Sequence, residues 1–250
     1  MSKIIGIVSG KGGVGKTTLC ANLAFALASQ GKNVIAIDGD IGLKNLDILL
    51  GLTDGCAFDI TDILEGRCTV NKAIQTHSDF PCLSFISASQ NFQTGEINRE
   101  DFRRLCRYLR KFYDYVLIDA PAGIGESFTT IANCCDECIV VATPDLTSIR
   151  DAEKTAGVLA QVPRLKASLV INKVNAKMIS KGYLQNIDDI MDSISLPLLG
   201  LVPADDGIIL YSNSGKPVIS TKSICSLPII NISKRIMGID TPIAKIWRKK

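Results

Sequence analysis

The chain has 250 residues, of which 46% are apolar, and carries a formal net charge of +3 at pH 7. It is long enough to bury a sizeable core as one large domain, and its small charge does not indicate a protein that binds polyanions through overall basicity. Its apolar runs all fall short of the roughly 18 residues of a membrane span, and no basic segment followed by an apolar one opens it, so we expect a cytoplasmic protein.

The first predicted elements are a strand, a glycine-rich loop and a helix. Residues 3–9 form a β-branched apolar run, residues 10–18 read Gly-Lys-Gly-Gly-Val-Gly-Lys-Thr-Thr, and residues 17–30 favour a helix. The loop satisfies the phosphate-binding pattern G-x-x-x-x-G-K-[ST] in the expected context. Its backbone N–H groups and the helix N-terminus should bind phosphate. The candidate nucleotide contacts in this loop are Gly10, Lys11, Gly12, Gly13, Val14, Gly15, Lys16, Thr17 and Thr18.

Individual side chains of the loop have distinct predicted roles. Lys16 holds the position that reaches the β- and γ-phosphates, which makes it a candidate catalytic residue. The hydroxyl of Thr17 holds the position that ligates Mg²⁺. Lys11 lies at the start of a loop whose backbone already binds the phosphates, so it is poorly placed to strengthen binding in its own subunit.

Further along the chain, short apolar runs alternate with helical patterns. The apolar runs occupy residues 33–38, 82–88, 113–119, 138–143, 167–172 and 197–203. The helical patterns occupy residues 99–111, 124–134, 146–161, 182–193 and 224–238. This alternation predicts an α/β fold of three layers with a mainly parallel central sheet flanked by helices. Together with the phosphate-binding loop, it predicts a P-loop NTPase. We assign residues 1–238 to this ATPase domain and residues 239–250 to a short basic tail.

Polar residues follow several predicted strands at the sheet edge where ligands of such folds collect. They are Asp38, Asp40, Asp119, Asn172 and Asp205. Asp119 ends an apolar strand and fits a Walker B aspartate that holds Mg²⁺. Asp40 lies on a glycine-flanked turn and is a candidate to orient or deprotonate the attacking water. Together with the Thr17 hydroxyl, these two aspartates are the predicted metal ligands.

The residues after Asp119 and the predicted base pocket refine the nucleotide prediction. Residues 120–125 are small and turn-forming, as a switch segment that moves with the γ-phosphate should be. Guanine pockets use a carboxylate at the fourth position of Asn-Lys-x-Asp, whereas residues 172–175 read Asn-Lys-Val-Asn. Adenine is therefore favoured, with Asn172 at the base edge and the turn with Pro203 and Asp205 closing over it. ATP and Mg²⁺ are the predicted cofactors.

The cysteines give a weaker signal. In a chain without a secretion signal most should be reduced and act as small apolar fillers. The one cluster is Cys134, Cys135 and Cys138, and its C-x-x-C spacing matches one edge of a zinc site. No second pair has ligand spacing, and His77 is the single histidine, so metal binding by the cluster is the minor alternative.

The loop at residues 10–18 resembles the deviant Walker A motif of the MinD/ParA group of ATPases. Further stretches resemble the branch of that group that positions bacterial cell division, namely residues 40–47, 115–124, 143–152, 202–205 and 212–217. The resemblance implies a homodimer that forms when ATP is bound. It also implies that Lys11 acts in trans on the partner's phosphates, as an arginine finger does.

The same resemblance implies partners. It implies slow hydrolysis that a partner stimulates, recruitment of a septum inhibitor of the MinC type, and an activator or topological factor. Residues 146–156 match the stretch that contacts such proteins, although helix capping explains their polar residues equally well. The loop with Lys44, Asn45 and Asp47 is implied to support the dimer, with capping as the alternative for Asp47. Gly125 departs from the group's pattern, in which a glutamate commonly follows Ala-Gly-Ile.

The chain ends in a segment that predicts a membrane contact. Thr241 is placed to cap a helix and Pro242 to begin it, so residues 241–250 predict a brief amphipathic helix. Its apolar and basic faces consist of Ile243, Ile246 and Trp247, and of Lys245, Arg248, Lys249 and Lys250. One copy should bind weakly and two copies in a dimer should add avidity, so we expect reversible association with the anionic inner face of the cell membrane. A frayed basic terminus is the alternative.

Other functions stay open at this point. The basic helix predicted at residues 99–111 is either a packed helix with a solvated face or a surface for nucleic acid or a partner. A ParA-type DNA-segregation ATPase and a flagellar-number ATPase would share the same loop. A redox carrier similar to the nitrogenase iron protein would need a cluster cysteine at residues 120–122, which read Ala-Pro-Ala. We expect no sequence-specific nucleic-acid partner.

Overall fold

A single eight-stranded sheet forms the middle of the molecule in the computed structural model, which describes residues 2–42, 44–53, 55, 57–89 and 98–244. The strands are β1 (Lys3–Ser9), β2 (Val34–Asp38), β3 (Gln75–Thr76), β4 (Leu83–Ile86), β5 (Tyr115–Ala122), β6 (Glu137–Ala142), β7 (Lys166–Val174) and β8 (Leu198–Pro203). Their spatial order is β3-β4-β2-β5-β1-β6-β7-β8. All neighbours are parallel except β3 and β4 at one edge.

Helices cover both faces of this sheet. They are α1 (Lys16–Ser29), α2 (Leu46–Leu50), α3 (Ile60–Leu64), α4 (Val70–Ala73), α5 (Arg99–Leu109), α6 (Glu126–Ala132), α7 (Leu146–Leu159), α8 (Ala176–Ser180), α9 (Ile187–Ile194), α10 (Gly207–Asn213) and α11 (Ser226–Ile236). One core contains residues of α5, α6, α7 and α9, and the other contains residues of α1, α2 and α11. Among the described residues, the helices are too short or too polar to cross a membrane. The predicted three-layer α/β architecture is confirmed.

The two cores explain why the strands read as continuous apolar runs. In β1, Ile4 and Val8 join the core under α5 to α7, whereas Ile5 and Ile7 join the core under α1 and α11. Both faces of a central parallel strand are covered, so apolar side chains are needed at successive positions. From β1 the chain first adds strands toward the edge of the sheet that contains β4, and from β6 onward it adds strands toward the opposite edge, which contains β8. This change of direction leaves a crevice at the carboxyl end of β1, where ligands bind in such sheets.

Several predicted boundaries are wrong by a few residues. The helix predicted from residue 182 begins at Ile187, because the Asn186 side chain accepts a 2.8 Å hydrogen bond from the N–H of Asp189 and caps it there. The strand predicted to end at Asp119 continues to Ala122. The edge strand β3 was not predicted, because two residues are too few for a period to show.

The predicted terminal helix does not begin at Pro242. Residues 241–244 have no regular structure, and side chains of α11 bind the carbonyl groups of the first two of them. Arg235 Nε donates to the Thr241 carbonyl at 2.8 Å, and Asn231 Nδ2 donates to the Pro242 carbonyl at 3.2 Å. Ile243 packs against the core and is half-buried, so it is not free for a membrane. The other residues of the predicted membrane contact, 245–250, lie outside the described part of the chain.

The basic helix α5 is a packed helix with a solvated face. Phe102, Leu105, Cys106 and Leu109 recur at helical spacing and are buried. Three arginines in or directly after the helix form ion pairs with acidic neighbours, namely Arg103 with Glu100, Arg104 with Asp101 and Arg110 with Asp136. These ion pairs neutralise much of the positive charge that a nucleic-acid-binding surface would need.

The contact between β8 and α11 predicts a steric effect on stability. A Cβ on Gly200 would overlap Cγ1 of Ile232 and lie 2.8 Å from its Cδ1. Because Ile232 is buried, we expect Gly200→Ala to lower the free energy of unfolding by about 1–3 kcal/mol, as overpacking does. Urea unfolding followed by circular dichroism measures the change.

Gly157 is the matched control, because it lies exposed in α7 with no atom within 4 Å of the position that a Cβ would take. Gly157→Ala should raise stability by about 0.5–1 kcal/mol through the lower helix propensity of glycine. Equal effects of the two substitutions would contradict the described packing of β8 against α11.

Candidate nucleotide-binding site

The loop that follows β1 borders a cavity of about 520 Å³ together with α1 and the carboxyl ends of β7 and β8. The predicted nucleotide residues that line it are Lys11, Gly13, Val14, Gly15, Lys16, Thr17, Thr18, Asn172, Pro203 and Asp205. Gly12 instead lines a smaller neighbouring cavity. Gly10 packs against α7, where a Cβ would lie 2.5 Å from the Asp151 carbonyl oxygen. The structure therefore gathers most of the predicted residues around one space.

The backbone of the loop is shaped to bind an anion. Gly13 and Gly15 have φ values of 78° and 91°, which side chains disfavour. Gly15 is the N-cap of α1 and supplies no side-chain cap. The N–H groups of the first turn of α1 therefore point toward the cavity without a capping side chain, which suits them to phosphate oxygens.

A buried contact joins Lys16, at the start of α1, to Asp119 within β5. Lys16 Nζ lies 3.8 Å from Oδ1 of Asp119, and both side chains are buried. That Oδ1 atom has no hydrogen-bond partner among the described residues. The Thr17 hydroxyl lies beside the same carboxylate. A hydroxyl and an unpaired carboxylate oxygen match the oxygen ligands that Mg²⁺ prefers, so these two residues fit the predicted metal.

Three carboxylates share this region with one cation. Burial raises the pKa of Asp119 to about 6, against the opposing effects of Lys16 and Thr17. Burial and the charge of Asp119 raise the pKa of Asp38 to about 7. Burial also raises the pKa of Asp40, which Lys16 opposes. The negative charge is therefore incompletely compensated by the chain itself, and a divalent cation would relieve it.

The protein side chains alone do not make a metal centre. Within the described ranges, no three or more His, Cys, Asp or Glu side chains are arranged to hold a metal ion. Mg²⁺ would therefore need nucleotide oxygens in addition to Thr17 and Asp119, as is usual for this ion. The same finding gives no support to a zinc site at Cys134, Cys135 and Cys138.

Asp38 has a positioning role that the sequence did not reveal. Its Oδ1 accepts the N–H of Asp40 at 3.1 Å, and its Oδ2 accepts those of Asn45 and Leu46 at 3.2 and 3.1 Å. These bonds order the turn that carries Asp40 and connect it to the start of α2. The available signal was an aspartate at a strand end before a glycine, which is typical of a turn that binds its own backbone.

Lys11 is directed away from the other residues of its loop. Its Nζ lies 3.2 Å from Oδ1 of Asp145 and 2.7 Å from the hydroxyl oxygen of Thr147, at the start of α7. Burial alone would raise the pKa of Asp145, but hydrogen bonds from Thr143, Thr147, Ser148 and Lys11 hold that pKa well below its usual range. Asp145 was not among the predicted site residues, and the sequence signal for it was only that of a helix N-cap.

Two residues at the end of β7 fix the loop. Asn172 Nδ2 donates to the Val14 carbonyl at 2.8 Å, and its Oδ1 accepts the N–H of Lys173 at 2.9 Å. Lys173 Nζ donates to the Gly13 carbonyl at 2.7 Å. Asn172 thus lines the cavity, but both polar atoms of its side-chain amide are hydrogen-bonded to backbone groups. Its contact with a nucleotide base stays a prediction. Lys173 was missed, because only the fold brings it to the loop.

Hydrogen bonds within the protein stabilise the part of the cavity lining formed by Pro203 and Asp205. Asp205 accepts hydrogen bonds from the N–H of Gly207 at 2.9 Å and from the Ser223 hydroxyl at 2.5 Å. The Cys225 thiol donates to the Pro203 carbonyl at 3.2 Å. Asn175, which stands where a guanine-specific carboxylate would, caps α8 with its side chain.

The uncompensated carboxylates predict a pH-dependent stability. In the ligand-free protein the raised pKa of Asp119 stabilises the folded state below about pH 4, and this stabilisation is lost as the pH rises through about 6. We therefore expect Asp119→Asn to raise the free energy of unfolding at pH 8, on the order of 1–3 kcal/mol, and to change it little near pH 4. Urea unfolding without nucleotide or Mg²⁺ measures both values.

Asp145→Asn is the control of opposite sign. The lowered pKa of Asp145 stabilises the fold above about pH 4 and loses that effect as the pH falls through the lowered value, so this substitution should destabilise the protein at pH 8. A loss of stability at pH 8 in both variants would contradict the charge imbalance at Asp119.

Comparisons with known proteins agree with this site. Residues 5–218 match the model of the CobQ/CobB/MinD/ParA nucleotide binding domain. The chain is 39% identical over 244 residues to the septum site-determining protein MinD of Synechocystis sp., which covers 97% of this chain and 92% of that protein.

Solved structures show the same relationship. A chain of the MinC:MinD cell division protein complex of Aquifex aeolicus superimposes with a TM-score of 0.91 at 34% identity, covering 98% of this chain and 99% of that one. MinD of Pyrococcus horikoshii, complexed with Mg-ADP, superimposes with a TM-score of 0.84 at 28% identity, covering 94% and 96%. The chain belongs to the MinD family within the MinD/ParA group of nucleotide-binding ATPases.

Proposed function

We propose that this chain is a cytoplasmic ATPase that dimerises when it binds ATP and Mg²⁺, associates reversibly with the inner face of the cell membrane and recruits a septum inhibitor of the MinC type. The observation that carries the proposal is the placement of Lys11. Its side chain binds Asp145 and Thr147 rather than projecting with Lys16 toward the buried carboxylates. A positive charge is therefore available for a second subunit.

In each subunit the chain's own groups bind and orient the reactants. Lys16 and the N–H groups at the start of α1 bind the β- and γ-phosphates. Thr17 and Asp119 would hold Mg²⁺, which would supply positive charge against the phosphates. Asp40, on the turn ordered by Asp38, orients the attacking water and accepts its proton, and its raised pKa suits it to that role.

The second subunit supplies the missing positive charge. Lys11 of one protomer leaves Asp145 and Thr147, enters the site of the other, and stabilises the charge that develops on the transferred phosphoryl group. A single subunit lacks this contribution, so its hydrolysis is slow. Partner stimulation then acts by completing or ordering the shared site.

Release of Lys11 also offers a way for partners to sense ATP. Lys11 binds the first turn of α7, where Leu146 is 69% exposed. When the lysine leaves, Asp145 loses its counter-charge and the surface at the start of α7 changes. A septum inhibitor, or an activating or topological factor, that contacts this surface would distinguish the two states. The MinC:MinD complex of Aquifex aeolicus supports a partner of this class.

Membrane association rests on residues 245–250, whose sequence combines Trp247 with four basic side chains. The segment that precedes them is fixed to α11 through Thr241 and Pro242 and to the core through Ile243. The residues directly before the tail are therefore held in place, and a dimer would present two copies of the tail together. Two weak anchors on one particle bind far more tightly than one.

The two lysines predict separable defects. Lys16→Ala should weaken ATP binding about 10- to 100-fold, because it removes a charge-assisted contact to phosphate. Lys11→Ala should change the affinity of the monomer for ATP by less than about threefold, yet abolish ATP-dependent dimerisation and lower turnover about 1000-fold, as loss of an arginine finger does. Isothermal titration calorimetry, light scattering and phosphate release measure the three quantities.

Lys154→Ala is the matched control, because Lys154 is an exposed lysine of α7 outside the site. It should leave all three quantities unchanged. A Lys11→Ala protein that still dimerises with ATP at wild-type affinity would contradict the proposed trans contact.

The tail predicts nucleotide-dependent sedimentation with liposomes. Full-length protein should pellet with anionic liposomes in ATP and not in ADP, because only the dimer presents two tails. A chain truncated after Ala244, which keeps the contacts of residues 241–243 with α11 and the core, should stay in the supernatant in both nucleotides while retaining ATP turnover.

Pelleting of both chains in both nucleotides would contradict the membrane switch. Sedimentation of the ATP form with DNA and not with liposomes would assign the chain to the DNA-segregation class instead. Neutral phosphatidylcholine liposomes serve as the control for the electrostatic part of the interaction.

A further inference from the structure

The strand β7 is irregular where it ends beside the nucleotide cavity. It pairs with β8 through Ile171 and Leu201. The next pair is Val174 with Pro203, so β7 contains one more residue than β8 between the two pairs. Lys173 lies in this bulge with a φ of 55°, a left-handed conformation that residues other than glycine rarely adopt. Strained residues and bulges beside a ligand cavity are retained where they direct a side chain to a particular place.

The bulge directs the side chain of Lys173 toward the phosphate loop. Its Nζ donates a 2.7 Å hydrogen bond to the Gly13 carbonyl, and its Cε lies 4.0 Å from the position that a Cβ on Gly15 would take. The same side chain lines both the cavity of about 520 Å³ and its smaller neighbour. The irregular end of β7 therefore brings a cation to the backbone of the loop, at the boundary between the two cavities.

Two successive carbonyl groups of the loop are bound from β7. Lys173 binds the carbonyl of Gly13 at 2.7 Å, and Asn172 Nδ2 binds that of Val14 at 2.8 Å. Both carbonyl groups therefore face the end of β7. In a planar trans peptide the C=O and the N–H point in opposite directions. The N–H groups of Val14 and Gly15, which belong to these two peptides, therefore face away from β7.

The two N–H groups oriented in this way are available for a ligand. Within the part of the chain that the structure describes, the N–H groups of Val14 and Gly15 donate to no protein acceptor. Val14 is only 2% exposed, and N–H groups of buried residues are normally paired. Both groups directly precede the first turn of α1, where successive N–H groups and the helix N-terminus favour an anion. They therefore fit the oxygen atoms of a phosphate group.

The positive charge of Lys173 strengthens this arrangement. A hydrogen bond from an ammonium group to a carbonyl is shorter and stronger than one between neutral groups. It also polarises the peptide that it binds, which makes the N–H at the other side of that peptide a better donor. The charge on Lys173 is therefore transmitted to the N–H of Val14 through the peptide between Gly13 and Val14.

We propose that Lys173 is a positioning residue for nucleotide binding, which directs the N–H of Val14 at a phosphate oxygen by holding the Gly13 carbonyl. The inference rests on the proposed function, because it requires a nucleotide at this loop. It deepens that function by giving a role in phosphate recognition to a side chain that acts through the backbone. Lys16, in contrast, is proposed to bind phosphate with its own ammonium group.

Calorimetric titration of the full-length protein with Mg-ADP tests the role of Lys173. ADP carries the phosphates and does not bring about the proposed ATP-dependent dimerisation. Lys173→Met keeps an unbranched side chain but removes the donor and the charge, so the affinity for ADP should fall about tenfold. Lys173→Arg keeps both and should bind ADP within about threefold of wild type. Lys177→Met, which changes an exposed lysine of α8, is the matched control and should bind like wild type.

Two further measurements separate positioning from a general loosening of the site. Adenosine lacks phosphate groups, so its affinity should be the same in wild type and in Lys173→Met. In spectra of ¹⁵N-labelled protein, the amide proton of Val14 should move downfield when Mg-ADP is added, because it then donates to a charged oxygen. This shift should be smaller in Lys173→Met and should be restored in Lys173→Arg.

The possible results distinguish this inference from the proposed function. Wild-type affinity for ADP in Lys173→Met would overturn the positioning role and leave the proposed function intact. Equal losses of affinity for ADP and for adenosine would also overturn it, because they would show that Lys173 maintains the whole cavity rather than the phosphate contact. A wild-type protein that binds no Mg-ADP would instead contradict the proposed function itself.

Discussion

The buried contact between Lys16 and Asp119 joins the start of α1 to β5 at the nucleotide edge of the sheet, and the rest of the site depends on it. β1 and β5 pair in register through Ile7 and Asp119, so the loop after β1 starts beside the end of β5. A carboxylate that is 1% exposed is costly unless a cation faces it. One lysine does not balance the neighbouring carboxylates Asp38 and Asp40. The excess negative charge therefore favours the binding of Mg²⁺ beside the glycine-rich loop.

The other lysine of the loop, Lys11, provides the proposed connection between ATP binding and membrane association. Lys11 occupies the same short loop as Lys16, yet it binds the start of α7 through Asp145 and Thr147. This contact is half-exposed, so it contributes little stability and can be exchanged for another anion at small cost. A partner's phosphates would provide that anion. The exchange of Asp145 for a partner's phosphates by Lys11 would then couple ATP binding to dimer formation. It would also change the surface at the start of α7 and bring two C-terminal tails together.

Local patterns predicted every strand except β3, the long helices and the phosphate loop, because continuous apolar runs and the glycine spacing are properties of neighbouring residues. They did not predict Asp145 as the partner of Lys11, since that contact exists only because β6 pairs with β1 and ends beside the loop. The predicted helix does not begin at Pro242, where Arg235 and Asn231 bind the carbonyl groups of Thr241 and Pro242, a contact that no periodicity reveals.

Mixed dimers test the central claim, that Lys11 acts on the other subunit's nucleotide. Lys11→Ala and Asp40→Ala proteins are each expected to be nearly inactive alone. In a mixed dimer the Lys11→Ala subunit keeps its own Asp40 and receives Lys11 from its partner, so one site is complete. Phosphate release should therefore recover when the two proteins are mixed, with a maximum near equal amounts. If Lys11 acts within its own subunit, no site in the mixture is complete, and absence of recovery would contradict the account.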